Sequence, residues 1–243
     1  MKVIAAGTLF KKYGDFTAVN GVDFTINQGE CFGFLGPNGA GKTTVMKMIS
    51  CFLPPTAGDL HVFNMSVNEK PSAIKARLGV MPQEDNLDPD LNVIENLVVY
   101  ARYFGIGKRE AEKRAADLLK FIELSERKNT PIKDLSGGMK RRLMLVRALM
   151  NNPEIIMLDE PTTGLDPASR RSVWDKMNKL KFNNATLLLT THYIEEAERL
   201  CDRVAIMDRG HIVTIDTPQT LMATYGGNLE DVYLKLTGRT LEN

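Results

Sequence analysis

The stretch Gly36-Pro37-Asn38-Gly39-Ala40-Gly41-Lys42-Thr43 follows the mostly apolar run Glu30 to Leu35 and opens the segment Lys42 to Cys51. It fits the spacing Gly-x4-Gly-Lys-[Ser/Thr], set between a strand and a helix. Glycines let the backbone curl until consecutive N–H groups point inward at an anion. The helix that follows adds the positive end of its dipole to the same place. Lys42 supplies a mobile cation for the β- and γ-phosphates of a nucleotide, and the Thr43 hydroxyl can ligate Mg²⁺. The bland alternative, a Gly-rich turn with an incidental lysine, leaves the strand-loop-helix context unexplained.

Further along, Ile155 to Leu158 reads as a short buried strand that ends in Asp159-Glu160. Acids at the carboxyl end of a strand stand where ligands bind in open α/β sheets. Asp159 can hold Mg²⁺ through its water shell, and Glu160 can accept a proton from attacking water. On its own an apolar run closed by Asp-Glu is equally a solvated strand end. Beside a phosphate loop it becomes a strong signal.

The rest of the chain alternates in the same way. Val22, Phe24 and Ile26 alternate with Asp23 and Thr25, the period of a half-buried strand. Asp59 to Phe63 reads as another strand, after Pro54 and Pro55 end the first helix. From Asn92 to about Leu124 the spacing of Ile94, Leu97, Val98 and Ala101 predicts helix, as does the pattern from Gly137 to Met150. The charged stretch Lys108 to Arg114 reads as a solvated helix face. Strands return at Ile155 to Leu158, Thr186 to Thr190 and Arg203 to Met207, with helices around Ala168 to Leu180 and Tyr193 to Leu200. Such alternation predicts a parallel sheet covered on both faces. Past Pro218 two short helices are expected.

Composition agrees with a globular α/β chain. Its 243 residues are 43% hydrophobic and 25% charged, enough to bury a sizeable core. A net charge of +1 argues against a dedicated nucleic-acid binder. The apolar runs fall well short of the roughly 20 residues a membrane span needs. The N-terminus is interrupted by Lys11 and Lys12 too soon for a secretory signal, so a cytoplasmic protein is expected. Cys31, Cys51 and Cys201 form no Cys-x-x-Cys pair and read as small buried hydrophobes.

Leu135-Ser136-Gly137-Gly138-Met139 resembles the signature of ABC ATPases, with Met139 in place of the commoner Gln. A Ser and two Gly opening a helix make a second anion site: hydroxyl, bare N–H groups and dipole converge. Tyr13, in Tyr-Gly-x-x-x-Ala-Val, looks like the aromatic residue that stacks on adenine. Gln83, after Leu78-Gly-Val-Met-Pro, looks like the Q-loop residue; Gly164-Leu165-Asp166 resembles the D-loop; Thr190-Thr191-His192 looks like the switch histidine. The closest flavour is the ABC-2 type exporter group, which includes daunorubicin-resistance and nodulation-type ATPases. Three stretches carry it: the signature with Lys140-Arg141-Arg142-Leu143, the run Thr191 to Arg203, and the tail Leu229 to Gly238.

The resemblance implies a P-loop NTPase core with a mainly parallel sheet, an N-terminal antiparallel β subdomain and an α-helical insertion at about 84–150. The ATPase domain would span 1–226 and a short helical tail 227–243. It implies ATP and Mg²⁺ as cofactors. Tyr13, Gly36, Asn38, Gly39, Ala40, Gly41, Lys42, Thr43 and Thr44 would bind the nucleotide, with Ser136, Gly137, Gly138 and Asp166 reaching it from a partner. Thr43, Gln83 and Asp159 would organise the metal, while Glu160, His192, Lys42 and Gln83 would serve hydrolysis. The implied partners are a second ATPase subunit, in a homodimer, and a transmembrane permease of the ABC-2 type. That permease would hold the chain on the inner face of the cell membrane. Two other readings stay open here: a soluble ABC-type ATPase acting on DNA or ribosomes, and an importer ATPase. A small-molecule kinase would leave the signature and His192 unexplained.

Overall fold

The computed structural model describes residues 1–238. Its first two strands, β1 (Lys2–Tyr13) and β2 (Phe16–Asn27), form a hairpin that turns at Gly14-Asp15, where Gly14 takes a φ of 57°. In β2 the expected alternation holds: Val22, Phe24 and Ile26 are buried and Asp23 is exposed. Then come β3 (Cys31–Leu35), α1 (Lys42–Ile49), β4 (Ala57–Val62), the two-residue β5 (Met65–Ser66), α2 (Pro71–Lys75) and β6 (Leu78–Met81). Three helices follow: α3 (Val93–Arg102), α4 (Lys108–Phe121) and α5 (Gly137–Arg147). The second half alternates β7 (Ile155–Asp159), α6 (Pro167–Phe182), β8 (Thr186–Thr191), α7 (Ile194–Leu200), β9 (Arg203–Asp208) and β10 (His211–Asp216). Helices α8 (Pro218–Tyr225) and α9 (Leu229–Thr237) close the described chain.

Two sheets result. The N-terminal one is antiparallel in the order β2-β1-β4-β5. The other runs β10-β9-β3-β8-β7-β6 and is parallel except for the β10–β9 edge pair. Helix α1 lies between them, touching β2 and β4 on one side and β7 and β8 on the other. Alternate residues of the central strands therefore feed two cores. Phe32, Phe34, Ile155 and Met157 pack toward α1 and the antiparallel sheet. Cys31, Leu35, Ile156 and Leu158 pack toward the helices on the opposite face. Burial on both faces is why these strands read as near-continuous apolar runs.

The structure divides the segment read as one helical pattern from Asn92 to Leu124. Residues 103–107 break it, and Gly105 takes a φ of 71° there. The start of α3 at Asn92 carries a capping box with Glu95, whereas α4 starts after Gly107 with no side-chain cap. Strands β6 and β10 were not expected: β6 is four residues long, and β10 is half exposed on the sheet edge. All three cysteines are free, Cys31 and Cys201 buried and Cys51 half-buried. The two short helices past Pro218 are present, and α9 docks Leu229, Val232 and Tyr233 into the core beside α7. The last part of the expected tail, 239–243, lies outside the described residues.

Candidate functional site

Strand β3 delivers the chain to the Gly-rich loop, and α1 begins at its end. Gly41 takes a φ of 103°, and a Cβ there would stand 2.6 Å from the Ala18 carbonyl oxygen. Only glycine allows the loop to close this tightly on β2. Above it opens a cavity of ≈ 350 Å³ lined by Tyr13, Phe16, Ala18, Asn38, Gly39, Gly41, Lys42, Thr43, Thr44, Gln83 and Glu160. Gly36 and Ala40 are buried beneath it.

Lys42 is folded back on its own loop. Its Nζ donates to the Gly36 carbonyl at 2.7 Å and the Pro37 carbonyl at 3.0 Å, and stands 3.6 Å from Glu160 Oε1. Burial lowers the lysine's proton affinity, while the nearby Glu160 and Asp159 carboxylates oppose that effect. The ammonium is thus presented at a loop built to receive an anion.

Adjacent strand ends bring the acids and their partners together. Strand β7 ends at Asp159, whose Oδ1 accepts from the Thr43 hydroxyl at 3.1 Å and from the Thr190 hydroxyl of β8. Burial raises the Asp159 pKa, against those two hydrogen bonds. Glu160 follows with a φ of 47°, its N–H bonded to Thr190. Its Oε2 accepts from Gln83 Nε2 at 3.1 Å and from Thr163 Oγ1 at 3.1 Å, and lies 3.5 Å from His192 Nδ1. Burial pushes the Glu160 carboxyl up, but His192, Lys42 and the Thr163 hydroxyl together outweigh it and hold it below its usual range. Thr43, Asp159 and Gln83 offer hydroxyl, carboxylate and amide groups in one place, the oxygen donors that suit a hard cation such as Mg²⁺.

One chain does not bring every expected residue here. Ser136, Gly137 and Gly138 start α5, and Asp166 caps α6 by accepting from the N–H groups of Ala168 and Ser169. None of these four lines the cavity. The sequence reading also missed Phe16 and Ala18. Phe16 pairs directly with Tyr13 across the hairpin and is 63% exposed, so both rings border the cavity without being covered by the fold. The signal was an aromatic residue just past a Gly-Asp turn, at the matching flank of the hairpin.

A phosphate loop opening α1, acids at the carboxyl end of β7 and a mostly parallel sheet define a P-loop nucleotide hydrolase with an added helical insertion. Residues 19–163 match the model of the family described as ABC transporter, and the chain belongs to that family, as an ATP-binding and ATP-hydrolysing subunit. It is 46% identical over 224 residues to the Nod factor export ATP-binding protein I of Burkholderia thailandensis, covering 92% of this chain and 74% of that protein. The corresponding protein of Ralstonia nicotianae is 42% identical over 232 residues, covering 95% and 72%. Among solved structures, the ATP-binding subunit of an ABC transporter superimposes with a TM-score of 0.86 at 28% identity, covering 97% of this chain and 99% of that one. A dimeric ATP-binding cassette in a post-hydrolysis state, bound to ADP and Pi, gives a TM-score of 0.80 at 29% identity, covering 88% and 98%. No helix among the described residues is long and apolar enough to cross a membrane.

Proposed function

We propose that the cavity is one half of an ATP site completed by a second copy of the chain, and that closure of this dimer drives export through a separate ABC-2 type permease. The observation that carries the reading is a division of the expected residues. Tyr13, Lys42, Thr43, Gln83, Asp159, Glu160 and His192 gather at one cavity or against its lining, whereas Ser136 to Gly138 and Asp166 lie off it. Tyr13 stacks on the base, and Phe16 extends the apolar wall. The loop amides and Lys42 hold the phosphates. Thr43, Gln83 and Asp159 hold Mg²⁺, which when bound draws charge from the phosphate oxygens. Glu160, kept ionised by Lys42 and His192, takes the proton of the attacking water. His192 moves to the γ-phosphate, and Gln83 reports metal and nucleotide to the helical insertion. Ser136, Gly137 and Gly138 cap the partner's nucleotide with hydroxyl, N–H groups and helix dipole. Asp166 links the two sites.

Export follows from the relatives named as export ATP-binding proteins. The permease's cytoplasmic helix docks on the helical insertion, about 84–150. The exposed Tyr103 and the Phe52 ring at its border with the core support that place. Through that partner the chain sits peripherally on the cytoplasmic side of the membrane. The ATPase domain is taken as 1–226, with 227–243 as a tail.

The test is gel filtration with Mg-ATP. Glu160→Gln keeps the side-chain size and removes the base, so hydrolysis should drop by about 10²–10⁴ while binding survives and a closed dimer accumulates. Adding Ser136→Arg should abolish that dimer, because the bulky side chain obstructs the partner's nucleotide. Equal dimer in both variants overturns the shared-site reading.

A further inference from the structure

The first turn of α6 joins the signature helix to His192 by direct contacts. Gly138 packs on Ser169 so closely that a Cβ on the glycine would stand 2.5 Å from the Ser169 hydroxyl oxygen and 2.8 Å from its Cβ. The next residue, Arg170, places its guanidinium carbon 4.2 Å from the centre of the Tyr193 ring. That ring lies 4.2 Å, centre to centre, from the His192 imidazole, tilted by 42°. His192 Nδ1 is 3.5 Å from Glu160 Oε2. The turn carrying His192 is pinned from its other side, where Tyr193 N–H donates to Thr191 Oγ1 at 2.9 Å.

Two features set the stack apart from ordinary surface packing. Arg170 Nε is buried with no hydrogen-bond partner among the described residues, and the guanidinium lies over the tyrosine ring while its charge also acts on the buried Glu196 carboxylate. His192 Nδ1 is buried with no hydrogen-bond partner among the described residues, its contact to Glu160 Oε2 being 3.5 Å long, so the Tyr193 ring shares with Glu160 the holding of the imidazole. We propose that Arg170 and Tyr193 are positioning residues that aim His192 at the reacting phosphate, and that they tie this aim to the subunit's own signature helix through Ser169. The inference rests on the role given to His192 above. In the shared-site arrangement the signature seats on the partner's nucleotide while His192 serves the subunit's own. A shift of α5 on docking is passed through Ser169 and Arg170 to the tyrosine, because close-packed contacts move together rather than yield. Each site thereby responds to the occupancy of the other.

The experiment is a mutant cycle on the full chain, reading single-turnover ATP hydrolysis and, separately, nucleotide Kd. Tyr193→Ala should lower the hydrolysis rate about 10- to 100-fold, the scale of a 1 Å misplacement, with Kd changed less than about threefold. Tyr193→Phe keeps the ring and should restore the rate. Arg170→Met keeps the stem, removes the cation, and should fall between them. On a His192→Ala background, Tyr193→Ala and Arg170→Met should cost nothing further. Rate losses that add to that of His192→Ala, or no loss in either single variant, overturn the positioning role and leave a mere packing contact. If His192→Ala itself hydrolyses at the wild-type rate, the assignment of His192 fails instead, which is a separate result. Tyr193 and Arg170 are both partly exposed, and thermal melts of each variant separate lost folding from lost aim.

Discussion

Replacing Lys42 with methionine keeps the length and apolar stem of the side chain and removes its ammonium. The residue is 4% exposed, donates to two loop carbonyls and lies 3.6 Å from Glu160. Attraction across that gap amounts to about 5 kcal/mol at an effective dielectric of about 20. Burying the ammonium costs several kcal/mol in the opposite sense. Glu160 also keeps its Gln83 and Thr163 donors in the variant, so no carboxylate is stranded. The nucleotide-free fold should therefore change by no more than about 2 kcal/mol, the scale of one charge-assisted hydrogen bond. Binding should change far more. Loss of a charge-assisted contact of about 3 kcal/mol to the phosphates weakens ATP roughly 150-fold. At about 100 times the wild-type Kd, ATP stabilises the native protein by about 2.7 kcal/mol; the variant at that concentration keeps about 0.3 kcal/mol. For a chain of this size each kcal/mol moves Tm by about 2–4 °C, so a shift of about 5–11 °C shrinks to about 1 °C. Thermal unfolding with and without Mg-ATP measures this, each protein serving as its own reference. A variant that keeps the full ATP-induced shift refutes the placement of the phosphates on Lys42.

At the base end, Tyr13→Ala should weaken ATP binding by about 1–3 kcal/mol, the size of a base–aromatic stack, while Tyr13→Phe should be mild. Equal losses in equilibrium titrations would mean that the hydroxyl matters and the ring does not. Glu196 accepts from Thr162 Oγ1 and Trp174 Nε1, and burial holds its carboxyl above the usual range. The native state then binds this proton more tightly than the unfolded chain, so its contribution to stability falls as pH rises from about 4.3 through the folded value. Glu196→Gln should flatten that fall, and Tm measured between about pH 4.5 and 8 with an unchanged slope would count against it. Gly138→Ala should cost about 1–3 kcal/mol in denaturant unfolding, because the new Cβ meets Ser169; a neutral result would show that α5 and α6 slide apart freely.

Much of the site was legible because its signals are local. The loop Gly36 to Thr43 is a run of consecutive residues whose chemistry depends on their own backbone, and Asp159-Glu160 follow directly on an apolar strand. Elements with weak local signals were not legible. Strand β6 is too short to show a period, and the break between α3 and α4 depends on two glycines inside an otherwise helical pattern. Phe16 belongs to the cavity only because the hairpin register sets it opposite Tyr13.

The sequence by itself determined the nucleotide chemistry, since anion-binding amides, a lysine and a Mg²⁺-ligating hydroxyl come from one uninterrupted segment. Tertiary structure decided which distant groups share that chemistry. Gln83, Glu160 and His192 follow the carboxyl ends of β6, β7 and β8, and they meet because those strands are parallel neighbours in register. It decided equally that the signature lies off the chain's own cavity, joined to His192 through Ser169, Arg170 and Tyr193. Strand order and helix packing are set by non-local burial of apolar faces, and no window of sequence contains both sides of such a contact.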